Sequence, residues 1–222
     1  MIRFEDVTTE DFSSVSFEIK EGSVCKIITD SDNEKNRLLD TILGFHKPVS
    51  GRVLIFDNEI YSIPEKESIK IFKRIGVVLK EGSVVSNLKV WENITLPVWY
   101  HTGRKPADME KRIVSLFDEI GRDISYVSGY MGKLPGPLPA NEKMFISLIR
   151  AILMEPELMI YDSLFEGLNP EMTERLVKLT TDFHSEKKGR ISVHISSDEQ
   201  SLKNIKPDMV LNQSGKGFAI WQ

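Results

Sequence analysis

The segment from Val24 to Leu43 constrains the fold most. VCKII (Val24 to Ile28) is a short β-type run that passes through a polar loop into a stretch starting at Lys35, where Leu38, Leu39, Ile42 and Leu43 recur at helical spacing. That is a strand, a loop and a helix. The pattern then repeats in kind. PVSG (Pro48 to Gly51) turns into VLIF and EIYSI, a basic helical stretch follows, and Ile75 to Leu79 reads as a buried strand. Val90 to Asp118 is polar and amphipathic with a break at Gly103 to Pro106, and a glycine and proline cluster closes this helical insert at Gly132 to Pro139. A helix from Lys143 toward Met154 leads into the strand LMIYD (Leu158 to Asp162), and another spans Pro170 to His184. ISVHIS, DMVLN and GFAIW supply three further strands. Strands alternating with helices predict an α/β fold with a parallel or mixed sheet covered on both faces.

Composition excludes several function classes. A chain of 222 residues with net charge -4 offers no basic field for displacing counterions, so no nucleic-acid partner is expected. No apolar run approaches the ~20 residues that span a bilayer, and MIRFEDVTTEDF lacks the order of a signal peptide, so a cytoplasmic location is expected. The single cysteine, Cys25, lies in an apolar run and reads as a small core residue. The four histidines, His46, His101, His184 and His194, show no metal-ligand spacing, and no metal site is expected.

Three phrases in fixed order carry a resemblance: KNRLLDTILGFHKPVSGRVLIFD (Lys35 to Asp57), SNLKVWENITLP (Ser86 to Pro97) and SLIRAILMEPELMIYDSLFEGLNPEM (Ser147 to Met172). Over nearly the whole chain they resemble the nucleotide-binding subunit of ABC transporters, and SNLKVWENITLPVWYH looks most like the ATPase subunits of Mce-linked lipid transport systems. The resemblance implies a RecA-like P-loop NTPase core of ABC type. Residues 1–85 and 143–222 would form that core and residues 86–142 a helical subdomain.

Matched position by position, the functional motifs depart from the family. A phosphate loop uses glycines whose N–H groups close around phosphate, a lysine, and a hydroxyl on Mg²⁺. Here the glycine positions fall on Thr29, Asp32 and Glu34, the hydroxyl position on Asn36, and only Lys35 survives. Asp30, Asp32 and Glu34 put carboxylates where a polyanion would lie, each like-charge contact at ~4 Å costing about 4 kcal/mol at an effective dielectric of 20. Lys35 is expected to pair with one of them. Phe12 reads as a core residue, and the loop that would carry a base-stacking aromatic is too short. Lys80 stands where the resemblance places a metal-sensing glutamine, read as a solvent-exposed lysine or, more sharply, as a cation filling the charge site left by Mg²⁺.

The signature turn corresponds to Leu138, Pro139, Ala140, Asn141 and Glu142, without the serine and glycines, with Asn141 expected as a helix cap. Asp162 matches the acid that holds Mg²⁺ through water. Ser163 replaces the glutamate that polarises the attacking water, so no catalytic residue is assigned. Glu166 is expected to be a surface or interface carboxylate. Asn169 replaces an aspartate used between subunits, and the switch position falls on Ser197 or Asp198, while alternation makes His194 a packed or paired histidine.

The expected function is a non-hydrolysing ABC subunit, docked on a membrane permease through the cleft bordered by Lys80 to Trp99. It would pair with itself or with an active ATPase, with Trp91, Val98, Trp99 and Tyr100 as candidate contacts or as packing of the insert. No cofactor is expected, ATP and Mg²⁺ entering only if the altered site still binds. The alternatives are a weak ATPase completed by a partner subunit and a soluble regulator.

Overall fold

A computed structural model describes residues 1–221, apart from the side chain of Ile124. The chain runs β1 (Ile2–Thr8), β2 (Val15–Ile19), β3 (Val24–Ile28), α1 (Asp32–Ile42), β4 (Ser50–Ile55), β5 (Asn58–Glu59), α2 (Glu65–Phe72), β6 (Ile75–Val78), α3 (Val90–Thr102), α4 (Pro106–Glu119), α5 (Ile124–Tyr130) and α6 (Ala140–Leu153). It continues through β7 (Leu158–Asp162), α7 (Pro170–Ser185), β8 (Ile191–Ser196), a 3-10 turn (Glu199–Leu202), β9 (Met209–Ser214) and β10 (Gly217–Trp221). The architecture is α/β, as the alternation predicts.

Two sheets form. The larger has the order β10-β9-β3-β8-β7-β6, parallel from β9 to β6, with β10 added antiparallel. Every residue of β7 and β8 is buried; β7 reads as a near-continuous apolar run, whereas β8 alternates Ile191, Val193 and Ile195 with Ser192, His194 and Ser196, which are buried as well. The smaller sheet, β2-β1-β4-β5, is antiparallel and was not expected from the alternation. Its register shifts between Phe4 and Val7, and Asp6 sits at φ 49°, so the period-two pattern of MIRFEDV is broken by an irregularity. EIYSI is a correction. Only Asn58 and Glu59 pair with β4; Phe56 and Asp57 at φ 50° and 64° turn the chain, and the Tyr61 hydroxyl donates to the Thr41 carbonyl at 2.8 Å, anchoring the segment on α1.

Leu38, Leu39 and Ile42 of α1 pack with Cys25 and Ile27 of β3 in one apolar cluster, joined by Phe12 and the smaller sheet. A second cluster gathers α3, α4, α5, α6 and α7 against the opposite sheet face, with Phe145, Ile149, Phe117 and Ile94 fully buried. Asn93 fixes the entry to α3, donating to the carbonyls of Val85, Leu88 and Lys89 and accepting from the Val85 N–H. Among the described residues no helix is long and apolar enough to cross a membrane.

Candidate functional site

The carboxyl ends of β3, β7 and β8 converge at the first turn of α1, and charged side chains from four segments meet there. Helix α1 begins at Asp32, three residues before the lysine at which the periodicity places its start. Ser31 caps it, its Oγ accepting from the Glu34 N–H at 3.3 Å and donating to Glu34 Oε2 at 2.8 Å. The Lys35 N–H is bonded to the Ser31 carbonyl at 3.0 Å. Acidic residues in a first helical turn also suit the helix dipole.

This early start redistributes the three acids. Asp30 is exposed, its N–H donating to Gln213 Oε1 at 3.1 Å. Glu34 turns to Ser31 and to Gln213 Nε2, which donates at 2.7 Å. Only Asp32 faces Lys35, so the expected crowding of three carboxylates is corrected to one. The Ser197 hydroxyl, donating at 2.6 Å, with Lys35 and Lys80, brings the Asp32 carboxyl down to about 2.

Lys35 is 2% exposed. Its Nζ lies 3.1 Å from Asp32 Oδ1 and 2.8 Å from Asp162 Oδ1, the latter an ion pair without hydrogen-bond alignment, and it donates to Ser163 Oγ at 2.9 Å. Ser163 holds its hydroxyl there from a left-handed backbone, φ 51°, with its N–H on the Ile195 carbonyl at 2.8 Å. Asp162 Oδ2 accepts from the Lys80 N–H at 3.2 Å.

Lys80 is half-exposed and engaged, its Nζ 3.2 Å from Asp32 Oδ2 and 2.5 Å from Glu166 Oε2. Its ammonium is held above its ordinary value, chiefly by Glu166. Glu166 corrects the expectation of a surface carboxylate: a turn closed by its N–H on the Ser163 carbonyl brings it back, and the Ser196 hydroxyl donates to it at 2.6 Å. Burial raises the Glu166 carboxyl, but Lys80 and the serines outweigh it and the net shift is downward. Asp32, Lys35, Asn36, Lys80 and Asp162 line one cleft of 470 Å³, with Asn36 exposed on its rim.

The other candidate residues lie apart from this cluster. Pro139, not Asn141, is the cap residue of α6; the Asn141 side chain accepts from the Glu142 N–H at 3.0 Å. Glu142 is buried and turned inward, taking hydrogen bonds from Arg122 and from the Tyr126 hydroxyl, both at 2.6 Å. Leu138 is half-buried, while Pro139 and Ala140 are exposed. Asn169 caps α7, accepting from the Met172 N–H at 2.8 Å. Asp198 caps the 3-10 turn, leaving Ser197 as the member of that pair that reaches the cluster. His194 is buried and stacked between Tyr161 and Phe165, with ring centroids 4.6 and 5.6 Å away. Cys25 is fully buried, and burial pushes its thiol up to about 12.

Two members of the arrangement carried no sequence signal: Gln213 and Ser196. Gln213 bonds Glu34 across 179 residues of sequence, so no local pattern could place it there.

A family profile described as ABC transporter matches residues 12–166. The methionine import ATP-binding protein MetN 1 of Acinetobacter baylyi is 26% identical over 202 residues, covering 91% of this chain and 55% of its own length. MetN of Rhodopseudomonas palustris is 28% identical over 165 residues, covering 74% of this chain and 43% of its own. The chain thus spans about half the length of the curated relatives it matches. A dimeric ATP-binding cassette solved in a post-hydrolysis state with ADP and Pi superimposes with TM-score 0.85 at 19% identity, covering 100% of this chain and 98% of that one, and at that identity shows the fold alone. With the profile spanning residues 12–166 and the cassette fold reproduced end to end, the chain belongs to the ABC transporter family.

Proposed function

We propose that the chain is a non-hydrolysing ABC subunit acting as a structural or regulatory component of a membrane transport assembly. It is held at the cytoplasmic face by a permease and paired with a second copy or with an active ABC ATPase. The observation that carries this reading is the closed ionic cluster of Lys35, Lys80, Asp32, Asp162 and Glu166.

ATP with Mg²⁺ does not fit these residues. The N–H groups of Glu34 and Lys35 are bonded within the cap of α1 and cannot close on a phosphate. Lys35 is committed to Asp32, Asp162 and Ser163. Both oxygens of Asp162 have partners, and Lys80 already supplies positive charge between Asp32 and Glu166. An entering polyanion would break these pairs and meet the Asp32 carboxylate. Ser163 is no base at neutral pH. The degraded signature adds to the reading: Pro139 has no N–H, and the Glu142 carboxylate is spent on Arg122 and Tyr126.

In this reading residues 86–142, which hold α3, α4 and α5, are the helical subdomain between core segments 1–85 and 143–222. Trp99 and Tyr100, 52% and 79% exposed, are available to a permease, whereas Val98 is core and Trp91 is half-buried. Cargo belongs to the same proposal: the named relatives are methionine import proteins, while SNLKVWENITLPVWYH resembles subunits of Mce-linked lipid systems. The transported ligand of the permease that co-purifies from the native host separates the two.

The test is steady-state ATP hydrolysis by the chain alone and mixed with an intact ABC ATPase. The expected result is no hydrolysis attributable to this chain. ATP turnover by the chain alone, or turnover in a mixture whose partner ATPase has its own catalytic glutamate replaced, would overturn the reading in favour of a weak, partner-completed ATPase.

A further inference from the structure

Lys80 is the second residue of the loop between β6 and α3, and that loop is tied at both ends. At one end its N–H bonds Asp162 and its Nζ bridges Asp32 and Glu166. Asp32 is further held by Ser197, and Glu166 by Ser196. One ammonium thus joins the first turn of α1, the turn after β7 and the end of β8 to the loop that carries it. At the other end Gly82, φ +69°, lies so close to the start of α6 that a Cβ there would meet the Lys143 carbonyl carbon at 2.4 Å. The Ser83 N–H donates to Ser147 Oγ at 2.9 Å, Arg150 donates to Ser83 Oγ at 2.8 Å, and Asn93 of α3 holds Val85 through its N–H and carbonyl at 2.7 and 3.0 Å. The contacts run unbroken from α1 to α3 using only groups of this chain.

We propose that Lys80 is a built-in latch, whose ammonium holds the loop 80–85, and through it α3 with its exposed Trp99 and Tyr100, in one position relative to the sheet without a bound ligand. Without that charge Asp32 and Glu166 face each other across the loop and repel, and the turn after β7 and the loop separate from α1. The latch is a surface-accessible one, since the Lys80 side chain is 41% exposed, and salt weakens it. It rests on this geometry and not on the loss of hydrolysis, so the two proposals fail separately: detection of ATP turnover leaves the latch standing.

The experiment is amide hydrogen exchange over residues 81–102, without nucleotide, in wild type, Lys80→Met and Lys80→Arg. The methionine keeps the aliphatic stem and the N–H to Asp162 but removes the charge. Exchange across this segment is expected to rise roughly five- to tenfold in Lys80→Met while β7 and β8 stay protected, and to return toward wild type in Lys80→Arg. In wild type about 1 M salt, where the screening length is ~3 Å, is expected to accelerate the same segment. Unchanged exchange in Lys80→Met, or an equal rise throughout the chain, would overturn the latch. If that variant does not fold, the salt series on wild type decides alone, a flat response being the contrary result.

Discussion

Replacing Lys35 by methionine is expected to destabilise the fold by roughly 3–5 kcal/mol, a large part of the ~5–15 kcal/mol typical of a domain. Lys35 and Asp162 are both buried and 2.8 Å apart. Without the lysine the Asp162 carboxylate keeps only the N–H of Lys80 as a donor, and an unpaired charge in a low-dielectric site is costly. Exposed ion pairs elsewhere, such as Lys178 with Asp182, contribute far less. The second variant of the cycle, Lys35→Met with Asp162→Asn, removes the orphaned charge while keeping an acceptor for Lys80, and is expected to recover most of the loss. Urea unfolding of the single and double variants measures both. A shift below ~0.5 kcal/mol for Lys35→Met, the range of an ordinary surface change, would mean that the lysine is idle and free for a ligand.

Acid destabilisation is expected to begin near neutrality and to depend on His194. Burial in β8, with smaller contributions from His184 and Lys26, lowers the His194 imidazole to about 3. The unfolded chain therefore binds a proton that the folded chain refuses once pH falls below about 6.5, and stability drops continuously until about pH 3. The loss at the bottom of that window is on the order of 4 kcal/mol. Asp32 acts in a different window: its lowered carboxyl contributes stability above the ordinary aspartate value that is lost as pH falls toward about 2, and its half-exposed position makes the effect smaller. His184, also lowered chiefly by burial, adds to the slope in every variant. His194→Phe keeps the stack on Tyr161 and Phe165 and removes the titrating ring, so its thermal midpoint should fall less steeply than wild type between pH 6.5 and 3. Identical slopes would show that His194 does not set the acid limit.

How much of this was legible depended on whether the determining contacts are local. The buried strand β7 and the edge strand β6 announce themselves as apolar runs, β8 by the alternation of Ile191, Val193 and Ile195, and α1, α6 and α7 by spacing, because packing on a sheet demands those patterns. The smaller sheet did not, since an irregularity at Glu5 and Asp6 breaks its alternation. At the site the identities of Lys35, Asp162 and Ser163 were readable, but their geometry was not. Ser31 with Glu34 three residues on is a helix-start pattern that moves the helix boundary to Asp32 and turns Glu34 away from Lys35. The return of Glu166 depends on a turn whose Ser163 stands at positive φ, which no residue type there announces. Lys80 meets Asp32 and Glu166 from 48 and 86 residues away along the chain, beyond the range of any local pattern.

The Lys35 cluster is expected to close the site to nucleotide. Calorimetric titration of the purified chain with ATP and Mg²⁺, beside an intact ABC ATPase as positive control, tests it most directly. No saturable heat is expected from this chain at millimolar ATP, with normal binding by the control. Saturable binding to this chain would contradict it, making the ion pairs of Lys35 and Asp162 a resting state that nucleotide displaces.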